Sequence, residues 1–139
     1  MSHKRTWCIL AACFLASFLS LLFFSRSSFL YPINTWVDSN ASLTVGSAMM
    51  RGQVLYVDIF DQRGPFLYFL YGLASLVSST TFTGVFLLEC LSFTVFLFYA
   101  YRVATLYVTK NALFVIPILA IIIPSSNAFG LGGSPEELL

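Results

Sequence analysis

The chain has 139 residues, of which 58% are hydrophobic, 17% aromatic and only 9% charged, and its mean hydropathy is +0.86. That is too apolar for a soluble domain of this size, so the composition predicts an integral, all-α membrane protein whose first partner is the lipid bilayer. A net charge of +1, with no basic patch beyond His3-Lys4-Arg5, excludes nucleic acid as a partner.

In chain order, the basic His3-Lys4-Arg5 precedes an apolar run from Trp7 to Phe24. The run is long and Phe-rich and no small-x-small cleavage site follows, so it predicts an uncleaved anchor with a cytoplasmic N-terminus rather than a secretory signal. About 18 residues is near the lower limit for a span, and Ser25 to Leu30 can lengthen it. Asp38, Ser39 or Asn40 can cap a helix running to about Arg51, with Ala41, Val45, Ala48 and Met49 as an i, i+4, i+7, i+8 stripe lying on the surface and Gly52 as its stop. Gln53 to Phe60 is rich in aliphatic and aromatic residues. If extended it aims Asp58 and Asp61 to opposite faces, and if helical it places them on one. Gly64-Pro65 breaks the chain and Pro65 suits the first turn of a short helix over Phe66 to Val77.

Two further runs have the length of spans: Phe82 to Tyr101, ending at Arg102, and Ala112 to Phe129, which follows Lys110 and carries Pro117 and Pro124. Phe66 to Val77 as a helix covers roughly 18 Å of a ~30 Å hydrocarbon core, too little to cross comfortably. If it lies along the membrane surface, the chain crosses three times. Arg102 and Lys110 then join the N-terminal charges in the cytoplasm, as the positive-inside bias favours, with Ser134 outside and Thr105 inside; a crossing by it would make four spans. The three-span reading collects Asp38, Asp58, Asp61, Glu136 and Glu137 on the outer side. The expectation is a single membrane domain over residues 1–139, a multi-pass protein of the cell membrane with about three transmembrane helices and juxtamembrane helices in a first outer loop.

Half of the six acidic residues sit between Trp36 and Pro65, so chemistry is sought there. The passage Tyr56-x-Asp58-x-Phe60-Asp61-Gln62-Arg63-Gly64-Pro65-Phe66-Leu67-Tyr68-Phe69, after a first span, an early loop aspartate and a small helix ending near Gly, resembles the N-terminal region of bacterial GT-C glycosyltransferases. These are the polytopic enzymes related to aminoarabinose transferases and protein O-mannosyltransferases. Essentially the whole chain can be laid along that region. The resemblance implies the three-span topology and an active-site acid at Asp38, with Arg63-Gly64-Pro65 standing where the family starts its juxtamembrane helix with Lys-Pro-Pro. Asp38-Ser39 replaces the family's frequent Asp-Glu. Family members are several times longer, so the resemblance implies an N-terminal piece that is inactive alone.

Sugar transfer from a polyprenyl-phosphate-linked donor to a cell-envelope acceptor needs a cation beside the lipid phosphate, and a carboxylate to activate a hydroxyl or hold a divalent cation. Arg63 and Asp38 are the candidates. Asp58 and Asp61 could bind a hard cation or simply be solvated, and Glu136 and Glu137 resemble acids of the family's second outer loop. The bland alternatives are an interfacial anchor for Arg63 and a helix cap for Asp38.

Glu89 lies inside the Phe82 to Tyr101 run, where an ionisable side chain costs roughly 3 kcal/mol or stays neutral. It predicts an interior contact, with Ser92, Thr94 or a neighbouring span, or a functional role. Cys8, Cys13 and Cys90 have no metal or redox spacing and read as small buried hydrophobes. Asn40-Ala41-Ser42 matches a glycosylation sequon, a short pattern. The alternative to an enzyme is a small non-enzymatic membrane protein, such as an assembly partner or transporter subunit.

Overall fold

The computed structural model describes residues 3–31, 33–108, 111–126, 129 and 131–134. Five α-helices and one 3₁₀ turn make up the regular structure, and no strand occurs among the described residues. The helices are α1 (His3–Phe24), α2 (Val37–Met50), α3 (Pro65–Val77), α4 (Thr83–Tyr107) and α5 (Val115–Ile122), the last preceded by the 3₁₀ turn Ala112–Phe114.

Helices α1 and α4 are long and apolar enough to cross a membrane. At 22 and 25 residues they rise roughly 33 and 37 Å. The α1 helix gains its length at the N-terminus, by starting at His3, and not from Ser25 to Leu30, which form a turn. There the Ser25 and Ser28 hydroxyls turn back on nearby groups, Ser25 Oγ accepting from the Ser27 amide at 3.1 Å and Ser28 Oγ donating to the Leu22 carbonyl at 2.8 Å. Such local bonds compete with helix continuation. The run from Ala112 onward folds as the 3₁₀ turn and the short α5, which stops before Pro124. Pro117 is tolerated because it sits in the first turn of α5, where an N–H has no intrahelical partner.

One apolar cluster joins α1, α4 and α5, including Cys13, Leu21, Phe86, Cys90, Leu97, Ile116 and Ala120. Ser17 of α1 donates to the Cys90 carbonyl of α4 at 2.9 Å, and the Phe18 and Phe86 rings meet edge to face at 5.6 Å. Cys13 and Cys90 are buried as small hydrophobes, but Cys8 is exposed.

Small residues set the second layer, where α2 packs on α3. A Cβ on Gly46 would lie 2.5 Å from the Gly72 amide nitrogen, so the two backbones are in contact there. The expected stripe of α2 is only partly the seam. Val45 and Ala48 are buried and Ala41 and Met49 half-buried, while Ser39, Ser42 and Gly46 are buried with them. Close backbone approach favours these small side chains over an apolar ridge. At the α3 to α4 junction a Cβ on Gly84 would lie 2.0 Å from the Ala74 carbonyl oxygen.

The C-terminal described segment closes the fold. Gly132 and Gly133 take φ of +69° and +72°, a backbone conformation that glycine adopts without a Cβ penalty. Their carbonyls collect donors from three places: Asn34 Nδ2 to Gly132 at 2.9 Å, Ser39 Oγ to Gly133 at 2.7 Å, and the Tyr71 hydroxyl to Gly133. The segment thereby ties α2, α3 and the linker before α2 together.

Candidate functional site

Asp38 occupies the first turn of α2 but does not cap it. The N-cap is Trp36, with no side-chain cap bond. The turn is ordered instead by Asn34, whose Oδ1 accepts the Trp36 amide at 2.9 Å, and by Asn40, whose Nδ2 donates to the Asn34 and Trp36 carbonyls, both at 2.8 Å. Relieved of capping, the Asp38 carboxylate pairs with Arg63, Oδ2 to Nη2 at 2.9 Å. A carboxylate in a first helical turn also faces the positive end of the helix dipole.

Arg63 is held on three sides. Its Nη1 donates to the Asp38 carbonyl at 3.1 Å and to Ser42 Oγ at 3.2 Å, one turn along α2. The Arg63 side chain is 20% exposed and that of Asp38 47%, so the pair is open to solvent from the Asp38 side. The remaining oxygen, Oδ1, takes no hydrogen bond among the described residues.

The loop before α3 aims Arg63. Gln53 to Phe60 is neither a strand nor a helix but a series of turns with one bridge between Leu55 and Ile59. Tyr56 sits at φ +65°, a left-handed conformation that costs a non-glycine residue of order 1 kcal/mol or more. Its amide donates to the Ile59 carbonyl at 2.7 Å and its hydroxyl to the Arg63 carbonyl, which holds it there. At the start of α3, Gly64 is the N-cap and Pro65 opens the helix, as the sequence predicts.

Asp61 joins Arg63 through Tyr68. The fully buried Tyr68 hydroxyl accepts the Arg63 amide at 3.1 Å and lies close to the Asp61 carboxylate. Burial first, and the Asp61 carboxylate second, push the phenol up to about 12. Asp58 stands apart, its Oδ2 accepting the Val54 amide at 2.7 Å within its own loop. Among the described residues no three His, Cys, Asp or Glu side chains converge as metal ligands.

Glu89 is buried in α4, and Ser25 Oγ, just past the end of α1, donates to its Oε2 at 2.6 Å. The contact with a neighbouring segment is therefore present. Thr94 bonds its own helix at the Cys90 carbonyl. Glu136 and Glu137 lie outside the described residues. The sequon at Asn40 is spent structurally, since its amide orders the α2 start and Ser42 contacts Arg63.

Sequence reasoning did not find Ser42 or Tyr68. Their signals were faint: Ser42 lies one turn after Asp38, and Tyr68 one turn into the helix that begins beside Arg63. The structure thus joins Asp38, Arg63 and Tyr68 by hydrogen bonds with Asp61 close to Tyr68, and leaves Asp58 and Glu89 elsewhere. Compared with known protein families, curated proteins and solved structures, the chain matches none.

Proposed function

We propose that the chain forms the first part of a GT-C-type membrane glycosyltransferase, moving a sugar from a polyprenyl-phosphate donor to a cell-envelope acceptor. The observation that supports this best is the Asp38 to Arg63 pair, which joins the early loop acid to the start of the juxtamembrane helix across 25 residues. In this reading the chain crosses the cell membrane three times, by α1, α4 and the segment containing α5, with its N-terminus cytoplasmic and α2 and α3 outside. The large apolar side chains on the outward faces of α1 and α4, such as Leu15, Phe23, Leu91 and Val103, suit lipid better than water.

Asp38 then serves one of two roles. As a base, it takes the proton of an acceptor hydroxyl while that oxygen attacks the anomeric carbon and the polyprenyl phosphate leaves with the bonding pair. As a ligand, its carboxylate would help hold a divalent cation, which would supply charge stabilisation for the leaving phosphate. Arg63 positions Asp38 and, with two of its five N–H donors left over by the contacts at Asp38 and Ser42, faces the donor phosphate. Asp61 holds Arg63 in register through Tyr68, and Asp58, Glu136 and Glu137 are secondary candidates for substrate contacts.

The test is transfer of a polyprenyl-phosphate-linked sugar by the natural full-length protein in liposomes. Asp38→Asn keeps the Arg63 hydrogen bond and removes the charge, and transfer should fall at least ~100-fold with folding intact. Arg63→Ala should mainly raise the donor KM, with partial rescue by Arg63→Lys, which keeps the charge and loses the fork. Undiminished transfer in Asp38→Asn removes the residue from the chemistry and overturns the reading.

A further inference from the structure

We propose that the cavity between the turn after α1, the start of α2 and the α3 to α4 connection is a binding site for one neutral sugar ring. Its volume is about 260 Å³, and a single pyranose fits that space. The site is separate from the Asp38 and Arg63 pair, and the proposal stands or falls independently of the glycosyltransferase reading.

Its lining carries the argument. Among the described residues that line the cavity there is no Asp, Glu, His, Lys or Arg, but its wall is dense in hydroxyls and amides, with Ser27, Ser28 and Asn34 inside and Asn40, Thr80 and Thr83 nearer the mouth. Ser27, Ser28 and Asn34 are each at most 4% exposed, so this polarity is built into the fold and not merely surface chemistry. Burying polar groups costs free energy unless they find partners, and several here have capacity unspent.

Ser28 uses its proton on the Leu22 carbonyl and keeps its lone pairs. Asn40 spends both N–H bonds on the Asn34 and Trp36 carbonyls, which leaves Oδ1 as an acceptor. Ser27 Oγ accepts from Asn34 Nδ2 at 3.5 Å, and its proton has no acceptor among the described residues. The Thr80 hydroxyl has no partner among them either, and can both donate and accept. Acceptors and donors interleaved around one small space match the vicinal hydroxyls of a sugar, each of which does both.

Aromatic rings flank the opening at Tyr31 and Phe82. A ring edge or face covers the apolar C–H side of a pyranose while polar groups take its oxygens. A phosphate or carboxylate finds no cation here, and a purely apolar ligand would strand the buried hydroxyls, so the chemistry selects a neutral polyol. The sugar can be free, or be the head of a lipid.

The experiment uses the natural full-length protein in nanodiscs and saturation-transfer difference NMR with methyl hexopyranosides of glucose, mannose and galactose. For a ligand this small the affinity expected is millimolar, so probes are used at about 10 mM. At least one should show saturation transfer, with glucose 1-phosphate and cyclohexanol showing none. Thr80→Val, which removes a hydroxyl that makes no bond in the fold, should weaken binding by about threefold. Thr80→Phe, filling the mouth, should abolish it, and Val57→Ser in the exposed outer loop should leave it unchanged. Octyl hexosides separate the sources: tighter binding than the methyl series by tenfold or more assigns a lipid-borne sugar, and equal binding assigns a free or glycan-borne one. No saturation transfer from any hexoside, or transfer that persists unchanged in a folded Thr80→Phe protein, overturns the proposal.

Discussion

Arg63 grips Asp38 twice, once at the carboxylate at 2.9 Å and once at the backbone carbonyl at 3.1 Å. The second contact matters as much as the first. A guanidinium that holds both the side chain and the main chain of the same residue orients that carboxylate relative to α2 and not merely near it.

The energetic weight of this pair should be small and its positional weight large. With the Asp38 side chain nearly half exposed, the ion pair contributes at most about 1 kcal/mol to stability. A double-mutant cycle of Asp38→Asn and Arg63→Ala, read by unfolding in detergent, should give a coupling below that value. Arg63→Ala should be the more destabilising single change, because it also strips partners from Ser42 and the Asp38 carbonyl. A coupling above about 2 kcal/mol would mean that the pair is shielded from solvent and contributes to stability as a buried one does.

The glycines at 132 and 133 should be intolerant of alanine, and Gly52 much less so. Gly132 and Gly133 combine positive φ with close neighbours, the Cβ at 132 falling 2.5 Å from the Ser27 amide nitrogen. Gly52 has φ +91° but no atom within 4 Å of its Cβ. Strain alone costs of order 1 kcal/mol; at 132 a backbone clash adds several more, and at 133 the Cβ crowds the Tyr71 and Val85 side chains at 3.1 Å. Thermal unfolding of the three alanine variants should rank Gly52→Ala well above the other two, and equal losses would remove the clasp from the account of the fold.

Glu89 and Ser25 make a stability prediction. Glu89→Gln keeps an acceptor for the Ser25 hydroxyl and should cost less than about 1 kcal/mol. Glu89→Leu leaves that buried hydroxyl without its acceptor, and should cost about 1 to 3 kcal/mol. Both are read by detergent unfolding. A Gln variant that folds normally yet loses the activity of the full-length protein would move Glu89 from packing to proton or ion chemistry.

The topology proposed above needs reporters that reagents can reach. Ser134, outward on sequence grounds, is only 5% exposed, whereas Val57 and Tyr107 are 79% and 84% exposed. With Cys8, Cys13 and Cys90 replaced, Val57→Cys should react with an impermeant thiol reagent in intact cells, and Tyr107→Cys only after permeabilisation. Both sites reacting in intact cells, or the reverse order, sinks the proposed orientation.

The sequence by itself determined where helices form and where several of them stop. Gly64-Pro65 sets the start of α3, Gly52 takes the positive φ just after α2, and Pro124 lies just beyond α5, all through local backbone chemistry. The Phe82 to Tyr101 run became α4 and continued to Tyr107, since Arg102 can stay in a helix while its side chain reaches for water. Only the tertiary structure decided what Asp38 does. Read locally, an acid at a helix start is a cap, and it took the return of the chain at Arg63, 25 residues on, to give it another partner. The same holds for Ser25, which looked like one more helical residue until the Glu89 carboxyl, 64 residues away, drew its hydroxyl out of the local pattern. Periodicity and turn chemistry are short-range, so they specify elements. The pairing of polar groups depends on which backbones can approach closely enough to meet, and here the small residues at Gly46, Gly72 and Gly84 and the left-handed glycines at 132 and 133 settle that in three dimensions.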